Sequence, residues 1–580
     1  MCGIYGITAH DPEFIQQYIK TCSHRGPDAS KVWWDPEHQM TLGHNLLSIM
    51  ADPQLSIQPW KTPKGNTLVY NGEIFNYHEL KEIYKGKGFA GITGCDTELL
   101  AWGLDEFGLD FLDKLDSMHG FAYYDKRKQT LCLSRDHAGI KPLYYAHVKQ
   151  GLVFGSEIKG MLDKVPNSRT IDHLAASFQS RTGLNPLRQT LFSGINKLLP
   201  GETIVYDLKH KKIIDTKRIY IRPNANRIFD PLEFQQQVSK AVERCSIGKR
   251  KIGVFLSGGL DSSIVAYELG KIKDEVYTFT NKFNPEVQSD EDYNSDAIAA
   301  KLLAKKEKFT HTEVEITPEK FKNAWDDSVY FGEQPVYTAN SSMYCHTNKV
   351  LSEHGIVVTM AGDMGDEILG GYTKYQQILQ KKYVVKSWKD ILGLWLNRIK
   401  RPVPLIENIL DDNVLIEAFS KCYSDYLWNK DDPTASYMAL DCVTQVPAEF
   451  FSRNDTYGMA YSMEGRFPLA SKDLMQYCLD IPTKYKIGPK AVDTKLLTKI
   501  AYKKLLPKEI IKKQKTGWTV PIGHWLKNNI NKELTDFYMQ GMGDENKMQT
   551  ITLNAKVGKS LVPAWAYKSW KEKYNIKYSS

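Results

Sequence analysis

The second residue of the chain is a cysteine, and removal of Met1 would set its thiol beside a free α-amine. An α-amine titrates near pH 8 and a thiol near 8.5, at about those values, so the amine can serve as general base for its own side chain, directly or through a water. Gly3 beside Cys2 lets a backbone pack closely. The run NGEIFN at 71–76 follows the apolar residues Leu68, Val69 and Tyr70. The Asn71 side-chain amide and the Gly72 N–H are the two donors an oxyanion hole needs in a thioester-forming step. The same Asn-Gly pair is also a strong signal for a two-residue hairpin turn, and the two readings are compatible. A second chemistry begins at Ser257, where the run SGGLDSS covers Ser257, Gly258, Gly259, Leu260, Asp261, Ser262 and Ser263. Its glycines let backbone N–H groups turn toward a phosphate, its hydroxyls add donors, and a helix N-terminus behind it adds partial positive charge. Asp261 is placed to ligate Mg²⁺ on those phosphates. The run is not a GxxxxGK[ST] loop. An acidic run, AGDMGDEILGGY at 361–372, follows the apolar residues 357–360. Asp363, Asp366 and Glu367 would repel one another unless a cation sat among them. Asp366 is therefore read as a second Mg²⁺ ligand, and Asp363, with Glu367, as a group that orients the reacting atoms.

These residues need two kinds of scaffold. Residues 1 to about 210 are rich in short extended segments, such as 67–70, 121–124, 130–134 and 143–146, punctuated by Gly, Asn and Asp. A helix is predicted over 96–107, with Leu99, Leu100, Trp102 and Leu104 apolar. The pattern implies a layered α+β domain of mostly antiparallel sheets over 1–210. The polar run IRPNANR at 221–227 reads as a linker. From 228 to 580 the pattern changes. A helix over 231–245, a strand over 252–256, the glycine loop, a helix from 264 to about 269, and strands at 277–279 and 357–360 alternate as in a parallel α/β sheet. Loops at the C-terminal ends of such strands are where ligands bind. From about 375 onward the pattern is mostly helical.

The bulk properties narrow the class. A chain of 580 residues allows two to four domains at roughly 150 residues each. It is 42% hydrophobic and 25% charged, as globular proteins are. The net charge of +8 is spread widely, with runs at 301–308 and 512–515, and reads as that of a mildly basic globular protein rather than a nucleic-acid binder, part of the excess being available to polyanionic substrates. No window holds 18 apolar residues, so no membrane partner is expected, and the N-terminus lacks the pattern of a signal peptide. Nine cysteines with no CxxC pair fit reduced thiols in a cytoplasmic compartment.

The motifs MCGI, HRGPD, NGEIFN, TGCDTE and SRDHAGIKPLYY stand in the order seen in class II glutamine amidotransferase domains, and the resemblance covers nearly all of 1–205. It implies an N-terminal-nucleophile fold, with Cys2 as nucleophile, Asn71 and Gly72 as the oxyanion hole, Glu73 and Asp96 on the glutamine α-amine, and Leu47 and Ile49 in the glutamine site. In GHNLLSI at 43–49 this chain has Leu46 where the family usually has an arginine for the glutamine carboxylate. Another cation substitutes, or glutamine binds weakly, or ammonia is the nitrogen source. The SGGLDS run resembles the pyrophosphate loop of ATP pyrophosphatases, which implies ATP held by 256–263 (Leu256 included) together with Gly362. YGMAYSMEGRFP at 457–468, DTKLL at 493–497 and KTGWTVP at 515–521 resemble the C-terminal domain of the asparagine synthetase B type. That resemblance implies Lys495 as the lysine that stabilises the adenylation transition state; the other reading is a surface lysine on a helix. Across the whole chain it implies ATP and Mg²⁺ as cofactors, glutamine as donor, an internal route for ammonia, and a homodimer. It also implies aspartate as the acceptor, activated as an acyl-adenylate with release of AMP and pyrophosphate. PLAS at 468–471 where the family has PFLD, and Met364 where a small residue is usual, leave other acceptors open, such as a uronic-acid sugar or a modified nucleobase. Cys2 argues against the related β-lactam synthetases, which have lost that nucleophile.

Overall fold

The structure is a computed structural model, described over residues 2–37, 39–224, 226–283, 293–335, 340–398, 406, 408–424, 426, 429, 431–490, 492–514, 520–527 and 555–577. Most of the run KTGWTVP (515–519) therefore lies outside the described residues. Twelve strands form the N-terminal part: β1 (Gly3–Ile7), β2 (Ala29–Asp35), β3 (Met40–Leu46), β4 (Trp60–Lys61), β5 (Thr67–Ile74), β6 (Ser117–Asp125), β7 (Thr130–Arg135), β8 (Tyr144–Val148), β9 (Gly151–Gly155), β10 (Asn196–Lys197), β11 (Glu202–Asp207) and β12 (Lys212–Arg218). They build two six-stranded antiparallel sheets, in the orders β10-β8-β9-β1-β3-β2 and β12-β11-β7-β6-β5-β4.

Strand periodicity explains how the sheets stack. Val69, Ala122 and Leu133 from one sheet share a core with Ile4, Leu42 and Phe154 from the other. The alternate residues Leu68, Tyr70 and Phe121 point the opposite way, into a core with Leu99, Leu100 and Trp102 of the helix Asp96–Phe107. Tyr5 and Ile7 meet Ile15, Tyr18 and Ile19 of the helix Pro12–Thr21 on the far side. The result is helix, sheet, sheet, helix. Each fully buried large apolar side chain contributes roughly 1.5–3 kcal/mol.

One expectation needs correction. Asn71 and Gly72 are not a hairpin turn: β5 runs on through Ile74, pairing Asn71 with Gly120 and Gly72 with His119 on β6. The tertiary ladder overrides the local turn preference. A Cβ at Gly72 would lie 2.7 Å from the Tyr70 ring and 2.9 Å from the His119 Cα, so the close approach needs glycine.

The C-terminal part centres on a five-stranded parallel sheet in the order β15-β14-β13-β16-β17. Its strands are β13 (Ile252–Phe255), β14 (Tyr277–Phe283), β15 (Thr310–Ile316), β16 (Val358–Met360) and β17 (Glu464–Arg466). The helix Pro231–Cys245 forms as its pattern predicts. Asp230 caps it by accepting from the N–H groups of Leu232 and Glu233, proline opens it, and Phe234, Val238 and Val242 are buried. The run read as a linker is pinned: Asn224 N–H donates to Asp480 Oδ1 at 2.9 Å and Arg227 N–H to the Asp480 carbonyl at 3.0 Å. Among the described residues no helix is long and apolar enough to cross a membrane.

Candidate active site

Cys2 enters β1, with only 8% of its surface exposed. Its backbone nitrogen, which becomes the α-amine once Met1 is removed, donates to Asn71 Oδ1 at 3.0 Å. Arg25 Nε donates to the Cys2 carbonyl at 3.2 Å. Burial raises the thiol pKa, and the N-terminal charge and the Leu47 N–H draw it back. Because Asn71 sits mid-strand, its Oδ1 is committed to Cys2 while its Nδ2 is buried with no partner among the described residues. Asn71 is fully buried and, of the residues expected at this site, is the one that does not line the pocket in front of Cys2. Gly72, Glu73, Asp96, Leu46, Leu47 and Ile49 line the same tight pocket.

Glu73 and Asp96 supply its negative charge. Asp96 accepts from Tyr70 OH at 2.9 Å and from Ile74 N–H at 3.0 Å. Glu73 accepts from Arg466 at 2.9 Å through Oε2, and its buried Oε1 has no partner among the described residues. Burial, then the neighbouring Asp96, raises the Glu73 pKa, outweighing the pull of Arg466. No lysine or arginine is among the described residues that line this pocket. Arg250 touches the outside of the Ser48 loop, donating to the Ser48 carbonyl at 2.8 Å and to Asp28 at 2.8 Å. The described lining thus holds no cation near Leu46.

The second centre lies where β13 and β16 end. Ser257 N–H donates to Ser262 Oγ at 3.1 Å, the two hydroxyls lie 2.9 Å apart, and Gly258 takes φ +72°, which favours glycine. Lys495 is not a surface lysine. It caps the helix Leu496–Tyr502 in the left-handed region at φ +52°, is 8% exposed, and sets its ammonium on both Asp261 and Asp366, 2.6 Å from Asp366 Oδ1. Burial alone would lower its pKa; Asp261 and Asp366 outweigh that and hold it above the ordinary lysine value. Two glycines let the backbone close on this triad. A Cβ at Gly365 would lie 2.5 Å from Asp261 Cγ, and one at Gly371 would lie 2.5 Å from Lys495 Cε.

The triad opens on a cavity of about 480 Å³ lined also by Ser257, Gly259, Ser262, Gly362 and Asp363. Burial raises the Asp363 pKa against the pull of Arg453. Three residues of the sequence-derived loop set do not line the cavity. Leu256 is fully buried and pairs its N–H with the Phe279 carbonyl. Gly258 backs onto the helix Ser295–Glu307, where a Cβ would lie 3.0 Å from Ala300 N. Ser263 is buried in the first turn of the helix Leu260–Gly270. Asp261 and Asp366 converge on one cation position, held here by the Lys495 ammonium, so hard oxygen donors suited to Mg²⁺ are in place. Among the described residues no three His, Cys, Asp or Glu side chains gather into a metal cage.

A buried ionic chain runs between the centres and was not read from the sequence. Arg25 pairs with Glu157 and Asp455, each at 3.0 Å, and Asp455 is followed back along its helix by Asn454, whose Nδ2 lies 3.4 Å from Asp363 Oδ2. Arg466 spans Glu73 and Glu464. Charged residues in HRGPD and SMEGRFP were the available signal, but nothing local says that they are buried.

A buried cysteine pocket beside two carboxylates and a glycine loop beside a lysine–carboxylate triad thus stand in one chain, the two-centre build of a ligase with an amidotransferase domain. Residues 233–574 match the family described as asparagine synthase, and residues 1–220 match the glutamine amidotransferase domain. The chain belongs to the asparagine synthase family. It is 26% identical over 593 residues to asparagine synthetase [glutamine-hydrolyzing] 1 of Bacillus subtilis, covering 94% of this chain and 91% of that one. It is 28% identical over 396 residues to asparagine synthetase B [glutamine-hydrolyzing] of Escherichia coli, covering 65% and 66%. Among solved structures, a glutamine phosphoribosylpyrophosphate amidotransferase from B. subtilis aligns at 18% identity and TM-score 0.29, over 48% of this chain and 65% of that one.

Proposed function

We propose that this chain is an amide synthetase that uses glutamine and ATP to convert aspartate to asparagine. The Cys2 thiol attacks the glutamine side-chain amide, and the α-amine takes up the thiol proton and passes it to the departing ammonia. Asn71 Nδ2 and the Gly72 N–H hold the oxyanion, while Glu73 and Asp96 hold the glutamine α-ammonium. Water then hydrolyses the glutamyl thioester. At the second centre the acceptor carboxylate attacks the ATP α-phosphorus and expels pyrophosphate. Lys495 offsets the charge that builds on the α-phosphoryl oxygens, and the loop 257–262 holds the leaving group. Mg²⁺, held by Asp261 and Asp366, would neutralise the pyrophosphate. Ammonia attacks the acyl-adenylate and AMP leaves; Asp363 is placed to take the proton released.

The observation that carries this reading is the position of Lys495, buried and aimed with Asp261 and Asp366 at the loop 257–262. A second reading concerns the nitrogen source alone: the cation-free lining around Leu46 favours free ammonia over glutamine. Product mass spectrometry decides between them, with ATP, Mg²⁺ and aspartate plus either amide-¹⁵N glutamine or ¹⁵N ammonium. Labelled asparagine and stoichiometric AMP from glutamine are expected. Asparagine from ammonium alone would establish the second reading. Neither product in either tube would rule out aspartate as acceptor.

A further inference from the structure

Among the described residues, four cationic side chains line the cavity beside the loop 257–262, and three of them have committed partners. Lys495 is held by Asp261 and Asp366, Lys513 by Asp296, and Lys499 donates to the Val492 carbonyl at 2.8 Å. Arg453 differs. Its guanidinium stacks 4.1 Å from the Tyr344 ring centroid and 5.3 Å from that of Phe450, and one Nη donates to Tyr344 OH at 3.3 Å. Its Nε is buried with no hydrogen-bond partner among the described residues, and Asp363 and Glu449 are the carboxylates whose charge acts on it. Stacking on aromatic faces fixes the plane of the fork and leaves edge N–H groups for a planar anion.

Glu449 lines the same cavity one turn before Arg453. The one described hydrogen bond of its side chain is a long one, from Gln445 Nε2 at 3.5 Å. It lies in a π-helical turn, Val446–Phe451, that leads into the helix Ser452–Met459; such wide turns recur at functional sites because they offset side chains from the regular helical face. Two opposite charges, not ion-paired to each other among the described residues, thus face one cavity beside the phosphate loop.

We propose that Arg453 and Glu449 clamp the acceptor as a zwitterion, Arg453 on its α-carboxylate and Glu449 on its α-ammonium, so that the acceptor class is an α-amino acid with a side-chain carboxylate. This rests on the synthetase reading above and adds to it the specificity-determining residues. The third charged group of such an acceptor is then the one left to reach the ATP α-phosphorus near Lys495.

The test removes one charge at a time from substrate and protein. Acceptor-dependent AMP release is measured with ammonium as nitrogen source, which bypasses Cys2, using aspartate, β-alanine (no α-carboxylate) and succinate (no α-ammonium). The wild type is expected to prefer aspartate to each analogue by about tenfold to a hundredfold, the effect of one charge-assisted contact. Arg453→Met should raise KM for aspartate by a similar factor and collapse the preference over β-alanine, with partial rescue in Arg453→Lys. Glu449→Gln should collapse the preference over succinate. Equal losses for all three acids in both variants would mean a structural role and overturn the clamp. AMP release by the wild type with aspartate and, equally well, with both analogues would overturn the clamp while leaving the synthetase reading intact. No AMP with any acid would overturn both.

Discussion

The Asn71 side chain is fixed by where its backbone lies. In a turn it would be free; in β5 its Oδ1 is held by the Cys2 N–H while its Nδ2 is left buried with no partner among the described residues. Asn71→Ala should cut glutamate release by about 10²–10³-fold, the usual loss of one oxyanion donor, and leave ammonium-driven AMP release near the wild-type rate. Steady-state assays of the two products check this. Leu46 makes the complementary case. Three carboxylates, Glu73, Asp96 and Glu464, line its pocket with no cation among the described lining residues. Leu46→Arg should therefore lower KM for glutamine by about tenfold or more, as one bidentate carboxylate contact would; an unchanged KM would mean that the carboxylate is bound elsewhere. Glu464 also carries a pH signature. Burial alone would raise its pKa, but the N-terminal charge, Arg466 and Lys141 outweigh that and hold it down at about 2. A depressed carboxylate stabilises the fold above its unfolded pKa of about 4.3, and that contribution is lost as pH falls toward 2. Denaturant titrations between those pH values should show a shallower fall in stability for Glu464→Gln than for the wild type.

The elements that carry these side chains differ in how plainly the sequence announces them. The helices Asp96–Phe107 and Pro231–Cys245 are legible because periodic apolar residues, and for the second a capping aspartate and an opening proline, agree with the tertiary structure. The strand β17 is not legible. Glu, Gly and Arg have no strand preference, and the segment is extended only because it pairs with β16 and buries its charges against Glu73 and Lys141. For the same reason the Asn-Gly of β5 reads as a turn locally and is a strand in the fold. Cys2, the glycine loop 257–263 and the aspartates Asp261 and Asp366 stand out in the sequence as runs of unusual chemistry; that Arg453 and Glu449 line the cavity beside that loop does not, since no local pattern marks which charges share a cavity. The phosphate loop depends on elements meeting closely, at Gly365 above all. Gly365→Ala would push a methyl to within 2.5 Å of Asp261 Cγ. The aspartate would have to move off Lys495. The expected outcome is a large loss of ATP-dependent AMP formation with glutamate release retained, since Cys2 lies in another part of the chain. Equal loss of both activities would indicate misfolding instead, which thermal melting would reveal.

At the scale of the whole molecule the two centres are joined by charge inside the protein. Arg25 leaves the loop after the first helix, supports the Cys2 carbonyl, and reaches Asp455, on the helix that also carries Arg453 and Asn454. Asp455 is in addition 3.8 Å from the fully buried Lys141. A buried carboxylate between two buried cations is sustained only while all three are present, because each would be costly alone. Asp455→Asn keeps the shape but leaves Arg25 and Lys141 without this carboxylate. The expected cost is about 3–5 kcal/mol, by analogy with other broken buried pairs, measured by chemical denaturation. The functional consequence should be separable from that cost. Arg25 still has Glu157, so the Cys2 site keeps part of its support, and the triad at Lys495 is untouched. Each half-reaction should then persist in the folded fraction, while the join between the centres loosens. The quantity to follow is glutamate formed per AMP released. Near one in a coupled wild type, it should rise in Asp455→Asn as ammonia escapes to solvent. A ratio that stays at the wild-type value despite the lost stability would mean that the ionic chain holds the two parts together without governing what passes between them.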